Sequence, residues 1–401
     1  MSSTSRHNHL RQSLADIFLV WRHELGSFLH DEGVMIFCLL VPLAYPLLYG
    51  FIYTQEVVRE VPVVVVDEDK TTLAREFTRR VDATSDVSIV ARCADMEQAR
   101  EAMRRHEANG ILRIPSDFSQ DINNINRWHQ AHVEIYCDMS SMFYYKALYT
   151  AATAVSLDMN KQIKVQRNSA LTTSRDEQIN TAPVDYEYVA LFNPASGYDG
   201  FLLPAVLILI LQQTLVLGIG MRNATVMEHY RHDRTLPNTI ADHHIGTFSM
   251  VLGQAMLYFM VYCLCALWIL VCIPHIFNLP QLAHPWSLFW FVLVFLADIT
   301  FFAQTVSVIV RGREKPMLLF AFLSVPLLFL SGISWPGSAL PWFWKAFSWL
   351  FPSTFGINGF VRLNTLSADL SQVSVEFTAL LVQTAIFLFM AYVVYRRMRR
   401  A

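Results

Sequence analysis

The sequence has little charge and almost no excess of either sign. Only 16% of its 401 residues are Asp, Glu, Lys or Arg, the formal net charge is −2, and 54% of the residues are hydrophobic. A nearly neutral chain has no long-range attraction for nucleic acid, and such an apolar composition excludes an ordinary water-soluble protein. The apolar residues also come in long blocks. These features indicate a membrane protein.

Two kinds of site motif are also missing. No Gly-x-x-x-x-Gly-Lys-Ser/Thr phosphate loop occurs, so we expect that this chain does not itself bind and hydrolyse ATP in that way. The six cysteines have no metal-ligand spacing, and we predict no cofactor or metal on this chain. Cys93 and Cys137 both end predicted strands. A disulfide between them stays open, because the sequence does not give their separation.

Six apolar runs are long enough, or nearly so, to form membrane-spanning helices. A hydrocarbon core of about 30 Å needs roughly 20 helical residues. We expect no signal peptide, because about 33 residues, several of them acidic, precede the first run. The predicted spans are 34–53, 201–221, 248–273, 286–310, 317–330 and 377–395.

Basic residues are concentrated on one side of these spans. They precede the first span, separate the second from the third and the fourth from the fifth, and follow the last. The positive-inside rule therefore predicts that both termini are cytoplasmic and that residues 55–200 lie outside. We divide the chain into a cytoplasmic helix (1–33), a first span (34–54), an extracytoplasmic domain (55–200) and five further spans (201–401).

The predicted outside domain alternates strands with helices. Its β-rich segments, VPVVVVD, DVSIVARC, NGILRIP and AHVEIYCD, are separated by polar helical stretches. This order is typical of an α/β domain with a small central sheet. Its acidic and basic residues form no cluster, so they indicate a solvated surface.

Two predicted cytoplasmic segments could contact a partner. Residues 10–29 place large apolar side chains and Trp21 on one helical face, which predicts an amphipathic helix lying in the membrane interface, with packing on a soluble domain as the alternative. The loop 222–247 is the longest cytoplasmic one. Its histidines and acids allow a metal site but form no fixed ligand motif, so a docking surface is favoured. The metal candidates are His229, His232, Asp233, Asp242, His243 and His244.

Polar residues inside the predicted spans are candidates for a path through the membrane. Asp298 is the one acid within them, and an ionisable residue in hydrocarbon usually faces a cavity or a partner. A structural hydrogen bond to a neighbouring helix is the alternative. Gln212 and Gln213 are weaker path candidates. Together with Gln254 and Gln304, they are favoured as hydrogen-bonding residues between helices.

The stretch LSGISWPGSALPWFWKAFSWLFPSTFGINGFVRL precedes the last span and resembles neither a span nor a water-exposed loop. Proline and glycine break it into short pieces, while its tryptophans are suited to a membrane interface. Non-helical backbone is tolerated at membrane depth only where protein or water satisfies it.

With RHELGSFLHDEGVMIFCLLVPLAYPLLYGFIY, VPVVVVDEDKTTLAREF and ANGILRIPSDFSQDI, this stretch is similar to the membrane subunit of ABC type-2 transporters, in the subgroup with a large extracytoplasmic domain after the first span. The resemblance covers nearly the whole chain. It implies a six-helix polytopic fold with an inserted α/β domain and a re-entrant hairpin at 333–350. The gate residues it implies are Trp335, Pro336, Pro341, Trp342 and Pro352.

The resemblance implies a permease subunit of an ATP-driven exporter in a bacterial inner membrane. The expected substrate is amphipathic or lipid-like, or a drug. The expected partners are a separate ATPase subunit carrying ATP and Mg, a second copy or a paralogous permease, membrane lipid, and a periplasmic adaptor with an outer-membrane duct. The loop after the second span departs from the family pattern because a glycine is missing. The expected ATPase-coupling residues are Trp21, Glu24, Glu228, Arg231, Arg234 and Leu236.

Two alternatives remain at this stage. One is a non-transporting envelope scaffold or sensor whose outside domain does the binding. The other is a membrane-embedded enzyme that uses the cytoplasmic histidines and acids. An ATPase that co-purifies with the chain would favour export over both.

Overall fold

The protein is described from a computed structural model that divides the chain into two compact units. One comprises Met1–Glu56 and Ala190–Ala401, and the other comprises Val57–Val189. Each unit has its own hydrophobic core, so the forces that hold each together can be treated separately. The residues that the structure describes are 3–53, 58–123, 130–139, 142–167, 200, 202–233, 245–307, 312 and 314–398.

The secondary structure of the described residues alternates in the first half of the chain and is helical in the second half. In chain order the elements are α1 (Ser3–His30), α2 (Glu32–Ile52), β1 (Val61–Asp67), α3 (Thr72–Asp82), β2 (Val87–Cys93), α4 (Met96–Arg104), β3 (Gly110–Ile114), α5 (Phe118–Asn123), β4 (Glu134–Cys137), α6 (Met142–Arg167), α7 (Leu202–Asp233), α8 (Thr247–Ile276), α9 (Pro285–Ser307), α10 (Lys315–Leu330), α11 (Trp342–Ser348), α12 (Pro352–Leu366) and α13 (Ser374–Met398).

The Val57–Val189 unit is built on a four-stranded sheet in the order β2-β1-β3-β4. β1 is parallel to β2 and β3, and β4 is antiparallel to β3. The four strand predictions are confirmed. α3 begins where Thr71 accepts a hydrogen bond from the Ala74 amide, and α4 begins where Asp95 accepts one from the Gln98 amide.

Helices cover both faces of this sheet. On one face, Val63 and Val65 of β1 belong to a core with α3 and α6 residues, including Leu148. On the other face, Val64 and Val66 form a smaller core with residues of α4. β1 is therefore a continuous run of valines, because a central parallel strand is buried on both sides.

We call the unit of Met1–Glu56 and Ala190–Ala401 the membrane unit, and the Val57–Val189 unit the sheet unit. Five helices among the described residues of the membrane unit are long and apolar enough to cross a membrane: α2, α7, α8, α9 and α13. A sixth apolar helix, α10, has 16 residues. At 1.5 Å per residue it is about 24 Å long, which falls short of a hydrocarbon core of about 30 Å. The predicted fifth span is thus shorter than the other five. α7 lies at the centre, where it packs against α2, α8, α9, α10 and α12.

The first span contains a π-helical turn, Ile36–Leu40, just before Pro42. Proline has no N–H, so the carbonyl of Cys38, four residues earlier, loses its helical partner. The Cys265 Sγ of α8 donates to that carbonyl at 3.7 Å. A side chain from another helix thereby replaces the missing backbone hydrogen bond.

α8 repeats this arrangement near its own end. A π-helical turn, Trp268–Cys272, comes just before Pro274. The carbonyl of Leu270 again lacks the amide of the residue four positions on, and the Gln281 Nε2 donates to it at 3.0 Å. Pro42 and Pro274 thus each free a carbonyl that a side-chain donor from elsewhere in the unit satisfies.

Between α10 and α13 the chain forms α11, which lies within the predicted hairpin, and α12, which was not predicted. α12 is 15 residues long and packs against α7, α9 and α13. Its Gly356 and Gly359 face the rings of Phe295 and Phe291, and a Cβ would lie 2.4 Å and 2.3 Å from those rings. In the sequence these glycines resemble chain breakers, whereas in the structure they permit close helix packing. The range predicted for the re-entrant hairpin, 333–350, contains α11 and leaves out α12.

Candidate coupling and translocation site

The N-terminal helix α1 is held to the membrane helices by a buried ion pair. Arg222 Nε of α7 donates to Glu24 Oε2 of α1 at 3.2 Å, and each side chain is 10% exposed. Glu24, Val20 and Phe28 are one turn apart, so they form a buried face of α1. The predicted apolar face is therefore split, because Phe28 on it is buried whereas Leu14 and Phe18 are exposed. α1 therefore has one face on the protein and a second apolar face outward.

A glycine sets the close contact between α1 and α8. A Cβ on Gly253 would lie 2.7 Å from the Val20 Cβ and 2.8 Å from the Ile17 carbonyl oxygen. The carbonyl belongs to the α1 backbone and cannot rotate away. Only glycine therefore allows the two helices to approach this closely, and α1 is a packed part of the membrane unit.

Next to Arg222 on α7, Asn223 joins three more helices through a buried polar cluster. Asn223 Nδ2 donates to Ser307 Oγ of α9 and to Tyr395 OH of α13, both at 2.7 Å. Gln254 Nε2 of α8 donates to Asn223 Oδ1 at 2.9 Å. Gln304 Nε2 of α9 donates to Gln254 Oε1 at 3.2 Å, and Tyr395 OH also donates to that oxygen. We call these five residues the polar hub.

The predicted role of Gln254 and Gln304 in bonding helices together is confirmed by these contacts. Arg222, Asn223 and Tyr395 were not among the predicted site residues. The available signal was the Arg-Asn pair that directly follows an apolar run, since polar residues at that point of a span need internal partners. Two consecutive residues of α7 thus connect α1, α8, α9 and α13.

The other predicted coupling residues are placed only in part. Trp21 is half-buried on α1 and stacks on Phe18 with ring centroids 5.3 Å apart. Glu228 is exposed on α7, about one and a half turns beyond Asn223. The side chain of Arg231, together with Arg234 and Leu236, lies outside the described residues. In the set proposed as a metal alternative, the side chains of His229, His232 and Asp233 and the whole of Asp242, His243 and His244 also fall outside them. Elsewhere in the described chain, no group of three or more His, Cys, Asp or Glu could hold a metal.

The predicted path residues Asp298, Gln212 and Gln213 are enclosed by their own chain. Asp298 is 0% exposed on α9, and neither carboxyl oxygen has a partner among the described residues. Gln212 Nε2 donates to Ser353 Oγ of α12 at 3.2 Å. A path between two copies would be lined by side chains that a single copy exposes. The role of these three residues in transport therefore stays a prediction.

The predicted gate residues lie on both sides of α11. Trp335 and Pro336 precede a short 3-10 turn, Gly337–Ala339, and Trp335 is exposed. Pro341 directly precedes α11, on which Trp342 is 81% exposed, and Pro352 is buried as the first residue of α12. The segment therefore passes from an exposed aromatic helix to a buried one. Its service as a gate stays a prediction.

A cluster of charged side chains lies on the sheet. Arg113 of β3 lies between two carboxylates, with contacts of 2.9 Å to Glu68 and 2.8 Å to Glu134. The hydrogen bonds that Arg113 donates to Glu68 and then to Glu134 raise the pKa of Arg113. Hydrogen bonds from Tyr136 and then Arg113 lower the pKa of Glu134. The cluster ties β3 to β4 and to the turn after β1, which is a structural role.

Cys93 and Cys137 are free thiols, so the disulfide left open by the sequence does not form. Cys93 ends β2 and Cys137 ends β4, the two outer strands of the sheet. Three strand spacings of about 4.8 Å separate those strands, which is well beyond the roughly 7 Å limit for a disulfide. Burial raises the pKa of both thiols.

With this architecture in view, the comparison with known families is informative. The model of the family described as ABC-2 family transporter protein matches residues 33–393. The match covers most of the chain, from the start of α2 to near the end of α13. The chain belongs to this family. It is a multi-pass membrane protein and the membrane subunit of an ABC transporter, a type of subunit that is not itself an ATPase. No curated protein matches the sequence.

Proposed function

We propose that the chain is the membrane-spanning half of an ATP-driven exporter, powered by a separate ATPase subunit. Two copies, or one copy and a paralogue, would form a path between them in a bacterial inner membrane, with both termini cytoplasmic and the sheet unit outside. An amphipathic or lipid-like molecule is the proposed cargo. A periplasmic adaptor and an outer-membrane duct complete the proposal.

The observation that carries this proposal is the pair of neighbouring residues on α7. Arg222 bonds α1, and Asn223 bonds α8, α9 and α13. Beyond them α7 continues to Asp233, so the first part of the predicted coupling loop 222–247 is helical rather than loop. A force on the C-terminal end of α7 would therefore be transmitted through these two adjacent residues to α1, α8, α9 and α13. A stiff lever of this kind is what a membrane subunit needs if its motor is another polypeptide.

The coupling role of Glu24 takes a specific form in this proposal. Its carboxylate is occupied by Arg222 and is mostly buried. Glu24 therefore acts by transmitting movement between α1 and α7 rather than by contacting the ATPase. Trp21, which is half-buried on α1, and Glu228, which is exposed on α7, remain the proposed contact residues.

The test is to co-express the chain with its ATPase, purify the complex into lipid and compare ATP hydrolysis with export. Asn223→Leu removes the amide that joins α7 to α8, α9 and α13. We expect the complex to assemble and hydrolyse ATP, with export reduced at least tenfold. Thr300→Val is the matched control, because the Thr300 hydroxyl is equally buried but donates to Leu296 O of its own helix at 2.7 Å.

Two outcomes would contradict the proposal. If no ATPase co-purifies under conditions that retain lipid, the motor is not a separate subunit, and a scaffold or sensor becomes the better interpretation. If Asn223→Leu and Thr300→Val export equally well, force does not pass through the polar hub.

A further inference from the structure

A cavity of about 210 Å³ lies between the end of α10, α11, the start of α12 and the start of α13. Its walls carry two opposite charges, Lys345 of α11 and Glu376 of α13. The volume is below the roughly 300–1,000 Å³ of pockets for drug-sized ligands. A small charged group fits the cavity better than a whole drug molecule does.

The carboxylate of Glu376 is only half satisfied. Its Oε1 accepts from Arg362 Nη1 at 2.8 Å, whereas its Oε2 is buried without a partner in the described chain. The side chain is 15% exposed. A buried carboxylate oxygen with no donor is costly, so a ligand that brings an N–H to this oxygen gains a strong charge-assisted hydrogen bond.

The hydroxyl groups around the cavity already donate to backbone carbonyls, so the two charges are the main groups that can recognise a ligand. Ser331 Oγ donates to Leu328 O, Ser348 Oγ donates to Lys345 O, and Thr354 Oγ1 donates to Ser348 O. Each of these protons is already used by the protein's own backbone. A ligand is therefore recognised by the Lys345 ammonium, which suits a phosphate, and by the Glu376 carboxylate, which suits an ammonium.

The surroundings of the cavity are those of a lipid contact. Leu330, Leu340, Trp349, Phe355 and Val375 supply apolar walls beside the two charges. The neighbouring α11 exposes nearly all of its aromatic side chains. Tryptophan-rich surfaces of this kind sit at the membrane interface, where lipid head groups and acyl chains meet. A head group in the cavity would leave its chains against an apolar surface.

We propose that this cavity binds the zwitterionic head group of an amine-bearing phospholipid, with the phosphate at Lys345 and the primary ammonium at Glu376. A choline head group has no N–H to donate to Glu376 Oε2, and an anionic glycerol head group has no ammonium. The site therefore selects phosphatidylethanolamine over lipids that differ only in the head group. Binding does not depend on an ATPase, so its failure would leave the exporter proposal intact.

The experiment is a native mass spectrometry titration of the full chain in detergent with phosphatidylethanolamine, phosphatidylcholine and phosphatidylglycerol that have identical acyl chains. We expect the ethanolamine lipid to bind about tenfold more tightly than the other two, as one charge-assisted hydrogen bond implies. Glu376→Gln keeps an acceptor for Arg362 and should abolish this preference. Asp369→Asn, an exposed acid outside the cavity, is the matched control and should keep it.

Lys345→Gln gives a second variant that leaves the Arg362–Glu376 pair untouched. It should weaken the ethanolamine and choline lipids by the same factor, because both contain the phosphate. Equal affinities for the three lipids in the unaltered protein, or an unchanged preference in Glu376→Gln, would overturn the proposal. Displacement of the lipid by an equal concentration of free phosphoethanolamine would also overturn it, since the source would then be a soluble molecule.

Discussion

The buried pair of Glu24 and Arg222 gives the sharpest prediction about stability. Glu24→Leu leaves the Arg222 charge buried without a partner, and Arg222→Met does the same to the carboxylate. At 3.2 Å and an effective dielectric constant of about 20, the lost attraction is about 5 kcal/mol. Removing one partner of a buried pair typically costs about 3–5 kcal/mol. We expect each single variant to lose stability in that range.

The double variant Glu24→Leu with Arg222→Met should recover most of this loss. With both charges gone, no desolvated ion remains, and similar-sized apolar side chains fill the space. The expected stability is within about 1 kcal/mol of the unaltered protein, which makes the coupling energy large and favourable. Arg22→Met is the control on the same helix, because Arg22 is exposed and should change stability by less than about 0.5 kcal/mol.

The assay is equilibrium unfolding of the purified chain in mixed micelles, driven by a denaturing detergent and followed by helical circular dichroism. All five proteins are measured in parallel. If the loss in the double variant equals the sum of the two single losses, the two side chains do not interact. The ion pair would then have no role in holding α1 to α7.

Three further predictions concern packing, an unpaired acid and pH. Gly253→Ala should lower the free energy of unfolding by about 1–3 kcal/mol in the same assay, because its Cβ meets the α1 backbone. Gly26→Ala is the control, since nothing lies within 4 Å of its Cβ, and it should be neutral or slightly stabilising. Equal effects of the two substitutions would contradict the close approach of α1 and α8. Asp298→Leu should stabilise the chain by about 1–3 kcal/mol, since it removes two buried oxygens without partners in the described chain, and a loss of stability would show that Asp298 has a partner. Glu134 has a lowered pKa, so its stabilising effect is fully present above pH about 4.3 and is lost as the pH falls through the folded pKa. Hydrogen exchange of β3 and β4, corrected for intrinsic rates, should distinguish Glu134→Gln from the unaltered protein at pH 7, and the difference should shrink as the pH falls below about 4.3.

The sheet unit was largely predictable from sequence. β1, β2 and β3 are short runs rich in Val or Ile, and α3 and α4 begin at good capping residues, Thr71 and Asp95. These signals are local, so they need no knowledge of distant partners. The separation of Cys93 and Cys137 was not predictable, because it depends on strand order, which places β2 and β4 at opposite edges.

The positions of the membrane-spanning helices were predictable from sequence, whereas most contacts between those helices were not. Apolar runs show where helices lie, and glutamines within them indicate hydrogen bonds between helices. The sequence does not show which residues form these hydrogen bonds, because the partners are far apart along the chain. Asn223 and Tyr395, for example, are 172 residues apart. α12 was missed for a different reason. Gly356 and Gly359 resemble breakers in a sequence, yet they make room for aromatic rings of α9.

The Cys38 carbonyl, which lacks a helical partner because of Pro42, has a consequence for the synthesis and membrane insertion of the protein. Its donor, Cys265, lies 227 residues further along the chain. At a translation rate of about 5–20 residues per second, the ribosome needs roughly 11–45 s to reach it. Throughout that interval the first span sits in the insertion machinery or the bilayer with an open acceptor. The final packing of the first span must therefore wait until the third span, which carries Cys265, has been synthesised.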